Sequence, residues 1–183
     1  MEIHFDTEFL HEEDQNWLLS LGMVKETGET YYAVNADMPW PRVKRHHWVG
    51  KNIWPLFPRT LSTTGFESLD LDHADVKSEQ VIKQEVFQFI TGSPNPSLWG
   101  WYPSHDYVLV ARLLGLWPMT PLWFPQRPND VAQEWERLGC PPMPEQPVGN
   151  HHSLEDAKFC LFRRIWLKEY ERQRALDPGR VKG

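Results

Sequence analysis

Apolar and charged residues alternate along the first ten positions, a pattern typical of a β-strand with two different faces. Ile3 and Phe5 are apolar, and Asp6 and Glu8 alternate with them. Two runs rich in apolar or β-forming residues follow at 17–24 and 30–34, separated by a polar stretch that contains Gly28. A glycine between two such runs is a hairpin signal. The pattern therefore predicts three antiparallel strands at the start of the chain.

The remaining chain mixes helical periodicity with proline-rich loops. The spacing of apolar residues predicts an amphipathic helix over 78–91, and the short run 97–102 predicts a buried strand. Three more helices are predicted, over 107–116 with Asp106 at its head, over 130–139 with Gly139 as the C-terminal stop, and from about 154 to about 175. This order of elements predicts an α/β or α+β sheet covered by helices.

Composition narrows the class of protein without selecting a function. A chain of 183 residues is long enough for one domain with a substantial core, expected over 1–175, with 176–183 as a flexible tail. Two cysteines, Cys140 and Cys160, are too few for a disulfide framework and favour a cytoplasmic location. The apolar runs are too short to cross a membrane, so no membrane association is expected.

Net charge bears on nucleic-acid binding. The formal charge of −6 disfavours a protein that coats nucleic acid through bulk positive charge. It does not exclude an enzyme whose carboxylates recruit divalent cations.

The segment 38–59 combines cations with tryptophans and four prolines, which exclude a continuous helix across it, although 42–54 fits a short one. Cations interleaved with aromatic rings suit a nucleic-acid strand, because phosphates bind the cations and bases stack on the rings. The alternative is a solvated basic helix held on the body by its tryptophans, and the sequence favours this alternative slightly.

Asp6 and Glu8 are the first candidates for chemistry. Strand geometry places both carboxylates on one face, about 6–7 Å apart at the backbone. Like charges so placed repel each other, and hard divalent cations such as Mg²⁺ or Mn²⁺ relieve the repulsion. The alternative is a strand whose outer face is simply solvated. Asp106 is a third acid, at a strand end, and its alternative role is to stabilise a helix N-terminus.

The stretch HHSLEDAKF, 151–159, supplies a histidine and a fourth acid. Ser153 and Asp156 have the spacing of a capping box, which predicts that the helix begins near 154. His151 then lies in the preceding loop and can fold back toward Asp156. His152 is the less favoured histidine, because it is one residue closer to Asp156.

Together these positions resemble the DEDDh family of 3′–5′ exonucleases. The match consists of D-x-E in the first strand, an aspartate about a hundred residues later and H-x4-D at the last helix, at Asp6, Glu8, Asp106, His151 and Asp156. Further segments, DTEF at 6–9, LWGWYPSHDYVLV at 98–110 and WERLGCPPMP at 135–144, are similar to the ribonuclease AS group of that family and its phage and bacterial relatives. The similarity runs from about residue 1 to 165.

The resemblance implies a ribonuclease H-like mixed sheet of five to six strands with flanking helices. It also implies a homodimer, two Mg²⁺ or Mn²⁺ ions and cleavage at adenylate-rich RNA 3′ ends. Asp6 and Asp156 would hold the first ion, Asp6 would bridge to the second, Glu8 and Asp106 would complete the cluster, and His151 would act as base. The backbone around Thr7 and Glu8 and the ring of Phe9 would bind the terminal nucleotide. Trp101 and Tyr102 are further stacking candidates, although both fit a core equally well.

Three alternatives stay open at this point. One is a relative of the same family that acts on single-stranded DNA, short oligonucleotides or cyclic nucleotide signals. Another is a non-catalytic nucleic-acid-binding module that keeps the fold. A zinc site built from the two cysteines and the histidine pairs is the third, although the spacing lacks the usual ligand pairs.

Overall fold

The three opening strands form the centre of a mixed six-stranded sheet. The computed structural model describes residues 1–12, 15–115, 123–147 and 149–176. The sheet strands are β1 (Glu2–Glu12), β2 (Gln15–Lys25), β3 (Thr30–Asn35), β6 (Val76–Lys77), β7 (Ser97–Gly100) and β8 (Asn129–Asp130). Their order in the sheet is β6-β3-β2-β1-β7-β8. β1 to β3 pair antiparallel, and the outer pairs β3–β6, β1–β7 and β7–β8 are parallel. The predictions of three antiparallel strands and of a mixed five-to-six-stranded sheet are confirmed.

Helices cover both faces of the sheet, and a small hairpin lies outside it. The helices are α1 (Trp40–Arg45), α2 (Val49–Asn52), α3 (Glu79–Thr91), α4 (Ser104–Leu113), α5 (Val131–Arg137) and α6 (Ser153–Leu176), with a 3-10 turn at Trp54–Leu56. The hairpin pairs β4 (Arg59–Leu61) with β5 (Glu67–Leu69). The short strands β4, β5, β6 and β8 are additions that the sequence pattern did not predict.

Alternation along β1 separates two cores. Ile3 and Phe5 are buried against α3 and α4 on one face, whereas Leu10 is buried on the other face with α1, α2 and the 3-10 turn. The face that carries Asp6 and Glu8 is therefore not an open solvated surface, because α6 packs against β1 and β2.

Several predicted boundaries shift. Strand β7 ends at Gly100, so Trp101 and Tyr102 lie in the turn before α4, and α4 begins at Ser104 rather than 107. The predicted short helix over 42–54 is divided, because His46 adopts an extended conformation between α1 and α2. Residue 116 and most of the tail expected at 176–183 lie outside the described residues.

The start of α6 lies directly on β2 at Gly22. A Cβ atom on Gly22 would overlap the backbone of Ser153 and Leu154, so only glycine permits this approach. The buried hydroxyl groups of Ser20 and Ser153 form a hydrogen bond of 3.0 Å at the same contact. The expectation that Ser153 caps the helix is wrong, because Ser153 is the first helical residue and its hydroxyl bonds to Ser20.

We expect Gly22→Ala to destabilise the protein by about 1–3 kcal/mol, since the added methyl group must displace the α6 backbone. Ser20→Ala is the matched control, and loss of its hydrogen bond to Ser153 should cost about 0.5–1.5 kcal/mol. Urea unfolding of both variants measures the difference. A Gly22→Ala protein as stable as wild type would contradict the close approach.

Candidate active site

Asp6 and Glu8 point from β1 toward the N-terminal turn of α6, as their shared face requires. Asp6 pairs with Gly22 across the β1–β2 ladder, so the glycine that admits α6 lies beside the first acid. Only 8% of the Glu8 surface is exposed, and Asp6 is partly buried. The pairing register shifts between Glu8 and Phe9, and such irregularities often occur next to active sites.

Asp156 completes a group of three carboxylates. It lies in the first turn of α6, and oxygens of Asp6, Glu8 and Asp156 lie within 4.8 Å of one another. Two donors orient the Asp156 carboxylate. The Gln146 side chain donates to Oδ1 at 2.6 Å, and the His151 backbone N–H donates to Oδ2 at 2.9 Å.

Asp106 approaches the cluster from α4 and is held by Thr7. The Thr7 backbone N–H and hydroxyl both donate to Asp106 Oδ1, at 3.0 and 2.5 Å. Thr7 is buried, so both donors are occupied within the protein. These bonds give Thr7 the task of orienting Asp106, and the expected contact of the surrounding backbone with the nucleotide stays a prediction.

The four carboxyl groups share one electrostatic environment. Burial is the largest cause that raises the pKa of each group. Neighbouring carboxylates raise the pKa of Asp6 further, and burial together with Asp156 and Asp106 raises the pKa of Glu8 to about 9. Two unit charges 4 Å apart repel by about 4 kcal/mol in a partly solvated site. The cluster therefore favours bound protons or cations.

The donor set fits hard divalent cations. Carboxylate oxygens are the ligands that Mg²⁺ and Mn²⁺ prefer, and three acids with converging oxygens supply them from two elements of the fold. Within the described ranges, no group of cysteines and histidines converges in this way. Cys160 is buried, Cys140 is exposed, and neither belongs to the carboxylate group. The zinc alternative thus finds no support among these residues.

The two histidines before α6 have different surroundings. His151 is exposed and adopts a left-handed backbone conformation with φ of 67°. His152 instead stacks on Tyr32 with ring centroids 4.5 Å apart, and its buried Nδ1 has no hydrogen-bond partner among the described residues. Of the two, His151 is the more exposed histidine beside Asp156.

The basic, aromatic segment 38–59 has features of both arrangements that the sequence left open. Trp54 is buried and Trp40 packs on it with ring centroids 6.0 Å apart, as expected for a segment held on the body by its tryptophans. Trp48 instead is 43% exposed. Its ring contacts the ring of His151 edge-on, with centroids 4.9 Å apart. The segment therefore forms one wall of the site.

The other aromatic candidates are distributed around the cluster. Phe9 packs against His105 with ring centroids 5.9 Å apart. Trp101 is partly buried and contacts Trp135, whereas Tyr102 is 57% exposed and has a positive φ of 54°. Backbone strain of this kind occurs frequently at functional sites.

Sequence patterns did not reveal the residues that support the acids. Gln146 lies in a proline-rich loop, and nothing in its spacing indicates a contact with Asp156. Trp48 was included only as a member of the segment 38–59. The Gly22 contact joins β2 to a helix more than 130 residues later, which local periodicity does not show.

The fold and the site together define a class of protein. The mixed sheet with three antiparallel strands and flanking helices is ribonuclease H-like, and acids from β1, α4 and α6 meet at its centre. No helix in the described part of the chain is long and apolar enough to cross a membrane.

Comparison with known proteins places the chain in a family, although no protein-family model matches it. Two Mycobacterium tuberculosis proteins, 3′-5′ exoribonuclease Rv2179c of strain ATCC 25618 / H37Rv and 3′-5′ exoribonuclease MT2234.1 of strain CDC 1551 / Oshkosh, are 31% identical to it over 165 residues. The match covers 89% of this chain and 90% of each relative. The chain belongs to the family of these 3′–5′ exoribonucleases.

A solved structure shows the same fold. The catalytic unit of Neurospora crassa Pan2, which comprises a protease and a nuclease domain, superposes with a TM-score of 0.51 at 15% sequence identity. The match covers all of this chain and 30% of the Pan2 chain.

We predict that the metal-free protein becomes more stable as pH falls from 8 to 5.5. Since the folded-state pKa of these carboxyls is raised, the folded state binds more protons than the unfolded state, and stability falls as pH rises from about 4 toward 9. Thermal unfolding in EDTA should show a gain of about 4 °C or more at the lower pH. Mn²⁺ should stabilise the protein most at pH 8 and so flatten the dependence.

Substitutions distinguish the pH dependence caused by the carboxyl cluster from a general dependence of stability on acidic pH. Glu8→Gln should raise the melting temperature of the metal-free protein at pH 8, because glutamine neither takes up a proton nor buries a charge on folding, whereas Glu8 must do one or the other. Glu155→Gln is the control, because it removes a carboxylate that does not belong to the cluster and that pairs with Lys158 at 2.8 Å. Equal effects of the two substitutions, or no effect of Mn²⁺, would contradict a cation-binding cluster.

Proposed function

We propose that this protein is a metal-dependent 3′–5′ exoribonuclease that hydrolyses RNA from its 3′ end and releases nucleoside monophosphates. The observation that carries the proposal is the convergence of Asp6, Glu8 and Asp156, with Asp106 and the exposed His151 beside them. Membership in a family whose relatives are named 3′–5′ exoribonucleases supports the reaction class.

The carboxylates are the proposed ligands for two Mg²⁺ or Mn²⁺ ions. Asp6 and Asp156 would hold one ion, and Asp6 with Glu8 and Asp106 the other. When bound, such ions neutralise phosphate charge and stabilise the attacking and leaving oxygens of the displacement. Thr7 and Gln146 keep the carboxylates of Asp106 and Asp156 in fixed orientations through their hydrogen bonds.

His151 is the proposed general base. Its exposed ring would accept a proton from the water that attacks the terminal phosphodiester, a task suited to imidazole near neutral pH. The bond from phosphorus to the 3′ oxygen of the preceding nucleotide breaks, and that oxygen takes a proton from solvent. Trp48, which meets the ring edge-on, limits the directions in which His151 can turn.

The substrate and assembly are proposed from the family. Phe9 and the exposed Tyr102 offer rings to the terminal nucleotide, and adenylate-rich RNA is the proposed preference. A homodimer is supported by the exposed apolar side chains of Phe162 and Ile165 on α6. Two free cysteines are consistent with the proposed cytoplasmic location.

Asp6→Asn and Asp156→Asn should each abolish hydrolysis of 5′-labelled RNA while the folded structure persists, because each removes a charged oxygen ligand. Glu155→Gln, next to Asp156 in sequence, should retain wild-type activity. The assay compares poly(A), mixed RNA and single-stranded DNA with Mg²⁺ or Mn²⁺. Activity in either folded asparagine variant would refute the assigned ligands. Binding by the wild-type protein without turnover of any substrate would indicate a non-catalytic module.

Alanine substitutions of the two histidines should have different effects on kcat. We expect His151→Ala to lower kcat by about 10²–10⁴-fold with little change in KM, as is typical for loss of a general base. His152→Ala should instead lower thermal stability, because it removes the stack on Tyr32, and should retain most of kcat. The opposite pattern would assign the base to His152.

A further inference from the structure

A cavity of about 490 Å³ lies beside the carboxylate cluster, between α5, α6 and the loop that connects them. Its walls combine flat apolar groups with polar ones. Its lining includes Trp101, Trp135, Met143, Gln146, Asn150 and Arg163. A volume of several hundred cubic ångströms with apolar walls and a few polar groups is typical of small-ligand sites.

Arg163 gives the cavity a cationic wall. Its guanidinium lies over the rings of Trp101 and Phe159, at 4.2 and 4.5 Å from their centroids. Among the described residues it forms no salt bridge, and its buried Nε has no hydrogen-bond partner. Its near neighbour Arg164, by contrast, pairs with Glu2 and Glu134. A half-buried arginine that lies over two rings and forms no salt bridge among the described residues is suited to bind a phosphate group.

The cavity is directly connected to the proposed catalytic cluster. Gln146 lines the cavity and donates a hydrogen bond to Asp156 at 2.6 Å. Asn150 also lines it and precedes His151 in the chain. Burial lowers the pKa of Arg163, and Asp156 partly offsets this, so the guanidinium lies within electrostatic reach of the cluster.

We propose that this cavity binds a nucleoside phosphate, with its phosphate on Arg163 and its base against the indoles of Trp101 and Trp135. In the setting of the proposed function, on which this inference rests, the occupant is a nucleotide of the RNA strand next to the one being released. The released monophosphate has the same chemistry and is tested separately. Glu145, a second charged residue of the lining, is exposed.

Cys140 provides a probe that leaves the fold intact. It lines the cavity and is exposed, whereas Cys160 is buried, so fluorescein maleimide should label Cys140 selectively. We expect a ten-nucleotide oligoadenylate to slow this labelling at least fivefold in His151→Ala protein with Mg²⁺, as measured by mass spectrometry. Protection by the oligonucleotide alone assigns the cavity to the RNA strand. Equal protection by adenosine monophosphate assigns it to the free nucleotide, and protection by neither overturns the proposal.

Kinetics provide a second test. Arg163→Gln should raise KM for a ten-nucleotide RNA about tenfold, and much less for the p-nitrophenyl ester of adenosine 5′-monophosphate, which lacks the neighbouring nucleotide. The control is Arg127→Gln, which removes the same charge from an exposed loop before β8 and should leave both substrates unaffected. Equal losses on both substrates would overturn the subsite. If the wild-type protein hydrolyses neither substrate, the proposed function fails, whereas the labelling result is still interpretable.

Discussion

The site depends on the close approach of the α6 N-terminus to strand β2 at Gly22. Because a side chain at this position would overlap the helix backbone, the glycine sets the distance between the last helix and the sheet. Asp6 is the ladder partner of Gly22, and Asp156 lies in the first turn of the helix that Gly22 admits. The same contact therefore brings together acids that are 150 residues apart in sequence.

In the absence of a cation, the resulting cluster lowers the free energy of unfolding. Buried carboxylates raise one another's pKa, and hydrogen bonds from Thr7, Gln146 and the His151 backbone reduce this cost only in part. Such unfavourable concentrations of charge are characteristic of functional sites rather than of structural ones. The fold holds the acids in place through contacts outside the cluster, with Ile3 and Phe5 buried on the opposite face of β1.

Much of this arrangement could be predicted from the sequence, because it depends on local patterns. Alternation in β1 placed Asp6 and Glu8 on one face, and the apolar spacing predicted most helices within a few residues. Contacts over long separations were not predictable in this way, since Gly22, Ser20 and Gln146 have no periodic signal. Thr7 shows the limit most clearly, because no pattern in the sequence indicated that its two buried donors both bind Asp106.

We propose that β1 and the start of α6 form a divalent-cation site. Anomalous diffraction at the manganese edge, from crystals grown with Mn²⁺, locates such an ion without any assumption about activity. We expect a peak bounded by carboxylate oxygens of Asp6, Glu8 and Asp156, and no such peak in Asp6→Asn crystals. If the only peak lay elsewhere, or if the peak persisted unchanged in the variant, these carboxylates would not be the ligands.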